Sequence, residues 1–291
     1  MNNSRRPSAY TFHSVDSAGN GLQCSNQYLA EEKAIAISYN GLSHAVMMAS
    51  PGALEDFAIG YSISAGVVTG KRQILDIEPR QLDDAICLEI TLNQRAFHQF
   101  KRSRAHERRT LTGSSACGLC GVEALDQVLS PQSASSSARG YQPLPPAEHL
   151  LQLRERLNLA QRHRSISGAL HGAIFVDASG NTSICREDVG RHNALDKVIG
   201  ACMRVDLPLT HGFIAMSSRC GLELVQKATR CGIGTLVTLA SPSDIAVRWA
   251  RKYQLNLIHV PAQAAPRVFS SDAFHSPNNR AVNLLCEAST V

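Results

Sequence analysis

The chain is poor in aromatic residues: they make up 5% of 291 positions, with a single tryptophan. Base stacking on aromatic side chains is the usual grip on single-stranded nucleic acid, so that class of partner is disfavoured. No apolar run approaches the roughly 20 residues that span a bilayer, which argues against a membrane helix. Arg5 and Arg6 have no apolar stretch behind them, so residues 1–26 read as a polar, disordered tail and not as a secretory signal. There is no second C-x-x-C and no H-x3-5-H spacing, which leaves a structural zinc knuckle without half of its ligands. No internal repeat is visible.

What remains is an ordinary globular composition, 44% hydrophobic and 18% charged, long enough for one or two domains. The nine cysteines are odd in number, and seven are scattered without a pairing pattern. That usage fits free thiols in a reducing cytoplasm, with most of them acting as small buried hydrophobes. The net charge of +5 is modest, yet Lys101, Arg102, Arg104, Arg108 and Arg109 cluster in one stretch. The cluster is either an anion-attracting patch or a solvated basic face.

The first hundred residues read as an α+β unit. Ala34–Tyr39 and Ala45–Met48 flank Asn40-Gly41, the strongest short hairpin signal. Pro51 opens a helix through Leu54, Phe57, Ala58 and Tyr61. Ile74–Ile77 and Ala85–Leu92 alternate as strands. Serines and prolines between 130 and 146 mark a connection, followed by a helix with Leu150, Leu153 and Leu157 on one stripe. Strands and helices then alternate: Ala173–Asp177, Thr182–Arg186, a helix from Asn193 to Met203, Gly212–Ser217, a helix Leu222–Arg230 closed by Gly232, Thr235–Leu239, a helix Ser243–Tyr253, and Leu255–Val260. This half is predicted to be α/β with a partly parallel sheet.

The most informative motif is Cys117-Gly-Leu-Cys120, with a helical pattern from Val122 to Leu129 directly behind it. A thiolate at a helix N-terminus is stabilised by the dipole and the free amides, which lowers its pKa and makes it nucleophilic. Such a pair serves as half a zinc site, as a dithiol couple, or as a carrier of sulfur in persulfide form. Cys87-Leu88-Glu89 upstream echoes the C-x-E…C-x-x-C arrangement of zinc deaminases, but it lies in a strand pattern, and Ala116 replaces the proline before the second pair. Glu187, Asp188, Arg191 and His192 converge at a strand-to-helix junction, where α/β sheets commonly bind ligands. A salt-bridged cap is the alternative. Arg219, Glu223 and Lys227 share a helical face or its approach, and His171 precedes a strand.

Several long motifs in order resemble the FdhD family of formate dehydrogenase accessory sulfur carriers. They are Asn40-Gly-Leu-Ser-His-Ala-Val-Met-Met48, Leu54-Glu-Asp-Phe-Ala-Ile-Gly60, Glu107-Arg-Arg-Thr-Leu-Thr-Gly113, Cys117-Gly-Leu-Cys-Gly-Val-Glu123, Glu187-Asp-Val-Gly-Arg-His192 with Ala194-Leu-Asp-Lys197, and Glu223-Leu-Val-Gln-Lys227. The resemblance runs from about residue 30 to residue 270. It implies residues 27–112 as an N-terminal α+β domain and 113–146 as the C-x-x-C loop, a short helix and a connection. It further implies 147–270 as a cytidine-deaminase-like α/β domain without zinc, and leaves 271–291 as a tail.

The resemblance implies a cytoplasmic relay. A cysteine desulfurase supplies sulfur, Cys117 carries it as a persulfide, Cys120 assists, and the molybdenum bis-guanine-dinucleotide cofactor receives it before entering formate dehydrogenase. It implies a homodimer, with no metal of its own. Cofactor contacts are expected from His171, Asp188, Arg191, His192, Arg219 and Lys227, and by position from Val260, Pro261, Ala262, Gln263, Ala264 and Ala265. In family members that last loop tends to carry basic residues, whereas here it has none. A cofactor-binding chaperone that moves no sulfur, and a zinc hydrolase of deaminase type, are the competing functions.

Overall fold

Asn40 and Gly41 both have positive φ, 46° and 77°. They reverse the chain between β3 (Lys33–Tyr39) and β4 (Leu42–Ala49), as the hairpin signal requires. The computed structural model describes residues 9–15, 22–110 and 142–269. β3 buries alternate residues, Ile35, Ile37 and Tyr39, and β6 (Ala85–Leu92) buries Ile86, Leu88, Ile90 and Leu92 on the same face. With β5 (Ile74–Gln81) they form a four-stranded sheet in the order β4-β3-β6-β5, in which β3 and β6 are parallel.

Two elements depart from the sequence reading at the N-terminal side. Part of the expected disordered tail is a hairpin: β1 (Ala9–Val15) pairs antiparallel with β2 (Leu22–Tyr28), and Thr11 Oγ1 donates to Asn26 Oδ1 across it at 2.9 Å. Cross-strand pairing and contact of β2 with the short helix Arg164–Ser167 supply what the polar composition hid. The basic cluster lies on a helix, α2 (Gln94–Thr110), anchored by Ala96 and Phe100. Between residues 94 and 103 only Ala96 and Phe100 are buried, too few to show a helical period in the sequence.

The second half is a six-stranded sheet in the order β12-β11-β10-β9-β7-β8. β9 (Gly212–Met216), β10 (Thr235–Thr238) and β11 (Asn256–His259) run parallel. β7 (His171–Asp177), β8 (Thr182–Asp188) and β12 (Arg267–Val268) run against their neighbours. β10 and β11 are buried at every position, and β9 at all but its first, because both sheet faces are covered. On one face lie Leu150, Leu153 and Leu157, from α3 (Ala147–Leu150) and α4 (Leu153–Ala160). The single helix expected there is broken at Gln152, which adopts φ 52°. Helix α5 is the short turn Arg164–Ser167.

On the other face lie α6 (Arg191–Arg204), α7 (Leu222–Arg230) and α8 (Asp244–Lys252). Gly232 (φ 73°) terminates α7, and Ser243 Oγ caps α8 by accepting from Ala246 N at 3.3 Å.

Helix α1 (Leu54–Ser64) is buried from Asp56 to Ser64 because it lies between the N-terminal sheet and α6. One hydrophobic core therefore runs from Ile35 and Phe57 through Leu195 and Ile199 to Leu257, across both halves. Residues 111–141 and 270–291 lie outside the described residues, and with them Cys117, Cys120, the 122–129 helix and the C-terminal tail.

Candidate functional site

The parallel strands end along one rim. Register pairs His171 with Asp188 across β7 and β8. Gly172 N donates to Ser217 Oγ and Ser217 N donates to Gly172 O, both at 2.9 Å. Leu239 N donates to Met216 O at 3.0 Å, and Val260 N to Thr238 O at 2.9 Å. The strand ends of β8, β9, β10 and β11 and the start of β7 thus stand side by side. The N-termini of α6, α7 and α8 open on the same edge, since each follows a strand directly. This is the carboxyl edge at which α/β sheets bind ligands.

His171, Arg191, His192, Arg219 and the loop 260–265 all lie on this rim. Glycines, Gly190 and Gly221, occupy the N-cap positions of α6 and α7, and neither helix has a side-chain cap. Their first amides are left for an anion. Arg219 is exposed beside α7. The buried Nε of Arg191 and Nε2 of His192 have no hydrogen-bond partner among the described residues.

Burial disfavours the charged form of both rim histidines. Burial, with Arg191 and Lys227 nearby, pulls His192 down to about 4. Burial, Arg191 and Arg164 also lower His171. His192 Nε2 lies 3.9 Å from Glu223 Oε2, and with a neutral imidazole at that distance the contact is not an ion pair. A neutral histidine beside arginines can donate to an anion without adding a buried charge.

Two of the expected contact residues are engaged inside the protein. Asp188 is fully buried. Its Oδ1 accepts from Gly190 N (2.8 Å) and Asn193 Nδ2 (3.0 Å), and its Oδ2 accepts from Ser50 N (3.0 Å) and pairs with Lys197 Nζ (2.6 Å). Lys197 Nζ also donates to Ser50 O at 2.8 Å. Asp188 therefore shapes the start of α6 and ties it to the β4–α1 turn. Lys227 Nζ donates to both oxygens of Asp196, at 2.8 and 2.6 Å, and to Ser64 Oγ at 2.9 Å. Burial pushes the Asp196 carboxyl up, and the Lys227 ammonium opposes that push. Lys227 joins α7 to α6 and α1 behind the rim.

Glu187 is engaged as well. It accepts from the backbone amides of Arg162, His163 and Arg164 at 2.7, 2.9 and 2.9 Å and so fixes the turn into α5.

Sequence reasoning missed the partners that build this framework. Asp56, nearly fully buried, accepts from Arg186 Nε and Arg204 Nε, both at 2.7 Å. Ser50, Asn193 and Lys197 complete the Asp188 cage. Asn193 and Lys197 stand one and five residues beyond His192, so their position inside the motif was the available signal. Ser50 lies 138 residues away from Asp188 and had none. Cys87 and Glu89, the deaminase echo, sit on β6, where Glu89 accepts from Ser38 Oγ and from Gly41 N. Among the described residues no group of three or more His, Cys, Asp or Glu could hold a metal ion, and no helix is long and apolar enough to cross a membrane.

Glycine-capped helix starts, arginines and neutral histidines on the carboxyl edge of a parallel sheet define an α/β protein suited to an anionic ligand. The chain belongs to the FdhD/NarQ family, whose model matches residues 30–274. It is 40% identical over 238 residues to the sulfur carrier protein FdhD of Cupriavidus necator, covering 81% of this chain and 79% of that one. It is 37% identical over 245 residues to its counterpart in Acinetobacter baylyi, covering 83% and 86%. The solved structure of a protein described as a formate dehydrogenase accessory protein from Desulfotalea psychrophila shares the fold. Its TM-score is 0.68 at 17% identity, over 92% of this chain and 99% of that one.

Proposed function

We propose that the protein is a cytoplasmic sulfur carrier that loads the molybdenum bis-guanine-dinucleotide cofactor for formate dehydrogenase. The observation that carries this reading is the Cys117/Cys120 pair, set within a chain whose relatives are named sulfur carrier proteins. In the loading step the Cys117 thiolate attacks the terminal sulfur of a persulfide on a cysteine desulfurase. The donor S–S bond breaks, the donor leaves as a thiolate, and Cys117 keeps the sulfur as Cys–S–SH. In the unloading step the Cys120 thiolate attacks Sγ of Cys117, expels hydrosulfide to the acceptor and leaves a Cys117–Cys120 disulfide. A cellular dithiol then reduces that disulfide for the next cycle.

The rim supports the acceptor side of this scheme. A guanine-dinucleotide cofactor is strongly anionic, and the uncapped amides of α6 and α7 with Arg191 and Arg219 complement it. Asn256 Nδ2 donates to Gln142 O at 2.8 Å, which fixes where the chain returns to the sheet. Cys120 precedes Gln142 by 22 residues, at most about 70 Å of extended chain, whereas the strand between Gln142 and the rim is only about 15 Å long.

The test is complementation in a cell lacking its own carrier. Cys117→Ala should abolish formate dehydrogenase activity while the variant protein accumulates normally. Full activity with Cys117→Ala would make the protein a cofactor-binding scaffold that moves no sulfur.

A further inference from the structure

The excess charge of the chain sits on one helix. Between Arg95 and Arg109, α2 carries six Lys and Arg residues against the single acid Glu107. Its net of five positive charges equals the formal net charge of the whole chain, so everything outside α2 balances to zero. The helix itself gains nothing from this. Arg95 stands in a first turn that holds no acid, where a cation opposes the helix dipole. Arg104 and Arg108 are four residues apart, a spacing at which like charges repel.

The apolar side of α2 is turned to the core. Ala96 and Phe100 are buried. The Phe100 ring lies 5.0 Å from Tyr39 and 5.4 Å from His44 between centroids, and Phe97 stacks on it at 6.4 Å. The helix therefore crosses from the end of β6 to the β3–β4 hairpin. Its other side faces solvent, with Arg95, His98, Lys101 and Arg102 exposed. Lys101 Nζ rests over the Phe97 ring at 4.8 Å. Among the described residues, no carboxylate pairs with Arg95, Lys101 or Arg102, whereas Lys71, Arg186, Arg204 and Arg248 each have one. Thr110 ends α2 and Cys117 follows seven residues later, so Cys117 stands no more than about 25 Å from the helix end. No other described element is closer to Cys117 along the chain.

We propose that the solvent side of α2 is the docking surface for an acidic face of the protein that delivers sulfur to Cys117. The proposal rests on the carrier reading for the partner's role. A desulfurase must bring its persulfide against Cys117, and α2 is the element that leads to that thiol. Opposite charges across such a contact speed encounter and fix orientation. Nucleic acid fits less well, because Phe97 and Phe100, the only aromatic rings besides histidine on α2, lie on the core side and leave no platform for bases. A lipid surface fits less well for the same reason, since no apolar face is left to enter it.

The experiment follows persulfide loading of the full chain by a cysteine desulfurase, read by intact mass at low and high salt, about 50 and 300 mM. Wild type is compared with the triple variant Arg95→Glu, Lys101→Glu, Arg102→Glu. The control is Arg80→Glu, exposed on β5 and paired with Cys87 at the far end of the sheet from α2. At low salt and subsaturating desulfurase, the triple variant should load about tenfold more slowly or worse, and Arg80→Glu near the wild-type rate. Wild-type loading should slow steeply with salt and the triple variant hardly at all. Loading from cysteine persulfide, too small to span the helix and the thiol, should be unchanged. Thermal melts establish folding, and where the charge reversal fails to fold, the triple Gln variant decides.

Equal desulfurase rates in wild type and triple variant, or equal slowing with cysteine persulfide, overturns the docking surface. Binding to phosphatidylserine vesicles that the triple variant loses, with desulfurase loading intact, overturns it in favour of a membrane. Fluorescence anisotropy of a labelled desulfurase with the Cys117→Ala chain reads docking without sulfur chemistry. Binding there that the α2 substitutions weaken upholds the surface even where no protein loads, an outcome that would fail the carrier reading alone. Binding that they leave unchanged overturns the surface.

Discussion

Gly60 on α1 and Gly200 on α6 sit face to face at a helix crossing with no room for a side chain. A Cβ on Gly60 would lie 1.7 Å from Asp196 O, and one on Gly200 would lie 1.8 Å from Asp56 O. The obstacle is backbone, so neither helix can yield by changing a rotamer. This crossing joins the N-terminal sheet to the helices that open on the rim. Gly60→Ala or Gly200→Ala should cost about 3 kcal/mol or more, because the helices must separate. Gly52→Ala, with nothing within 4 Å of the added methyl, should be near neutral. Urea unfolding of the three variants checks the ranking, and equal midpoints would contradict the packing.

The Asp188–Lys197 pair has side chains only 0% and 1% exposed. Lys197→Met strands a buried carboxylate and should cost about 3–5 kcal/mol. The double variant Asp188→Asn, Lys197→Met removes both charges and should recover part of that loss. A double-mutant cycle by chemical denaturation reads the coupling, and additive losses would show that the pair is not coupled.

Much of this framework could be read in the sequence, and the reason is local. Asn40-Gly41 fixes a turn by its own conformational preference, and Gly232 and Ser243 close and open helices within a few residues of themselves. Arg191 and His192 stand out in the sequence because they adjoin a strand-to-helix junction, and His171 because it precedes a strand. What stayed hidden depends on long-range partners. The internal partners of Asp188 and Lys227 stayed hidden because Ser50 and Ser64 lie 138 and 163 residues away. Helix α2 and the β1–β2 hairpin are too polar to show a clear period. Arg154 is one of three charged residues on a short helix, and only the fold sets its Nη2 against the carbonyl of Leu239.

His192 gives a pH dependence with a definite sign. Its folded pKa of about 4 lies below the usual 6.5, so the unfolded chain binds more protons between those values. Stability should therefore fall as pH drops from about 6.5 towards 4, by an amount on the order of 1–3 kcal/mol from this residue. In His192→Gln the decline over that window should be shallower. Parallel unfolding curves at pH 7 and pH 4.5 measure the difference, and identical slopes for wild type and variant would contradict the half-buried, neutral placement.

The cysteines separate by environment. Burial pushes the thiols of Cys202, Cys220 and Cys231 up to about 12, while Cys24 is exposed. Brief iodoacetamide treatment of the native protein at pH 8, read by peptide mapping, should modify Cys24 and spare those three. Rapid labelling of Cys220 or Cys231 would mean that the core around α7 opens readily.

The central claim is carrier chemistry at Cys117, and intact-mass spectrometry tests it most directly. The full chain is incubated with a cysteine desulfurase and free cysteine, beside Cys117→Ala and Cys120→Ala. The account predicts a reductant-sensitive gain of about 32 Da, one sulfur atom, in wild type and Cys120→Ala, and none in Cys117→Ala. A gain that persists in Cys117→Ala, or no gain in any of the three proteins, would contradict it.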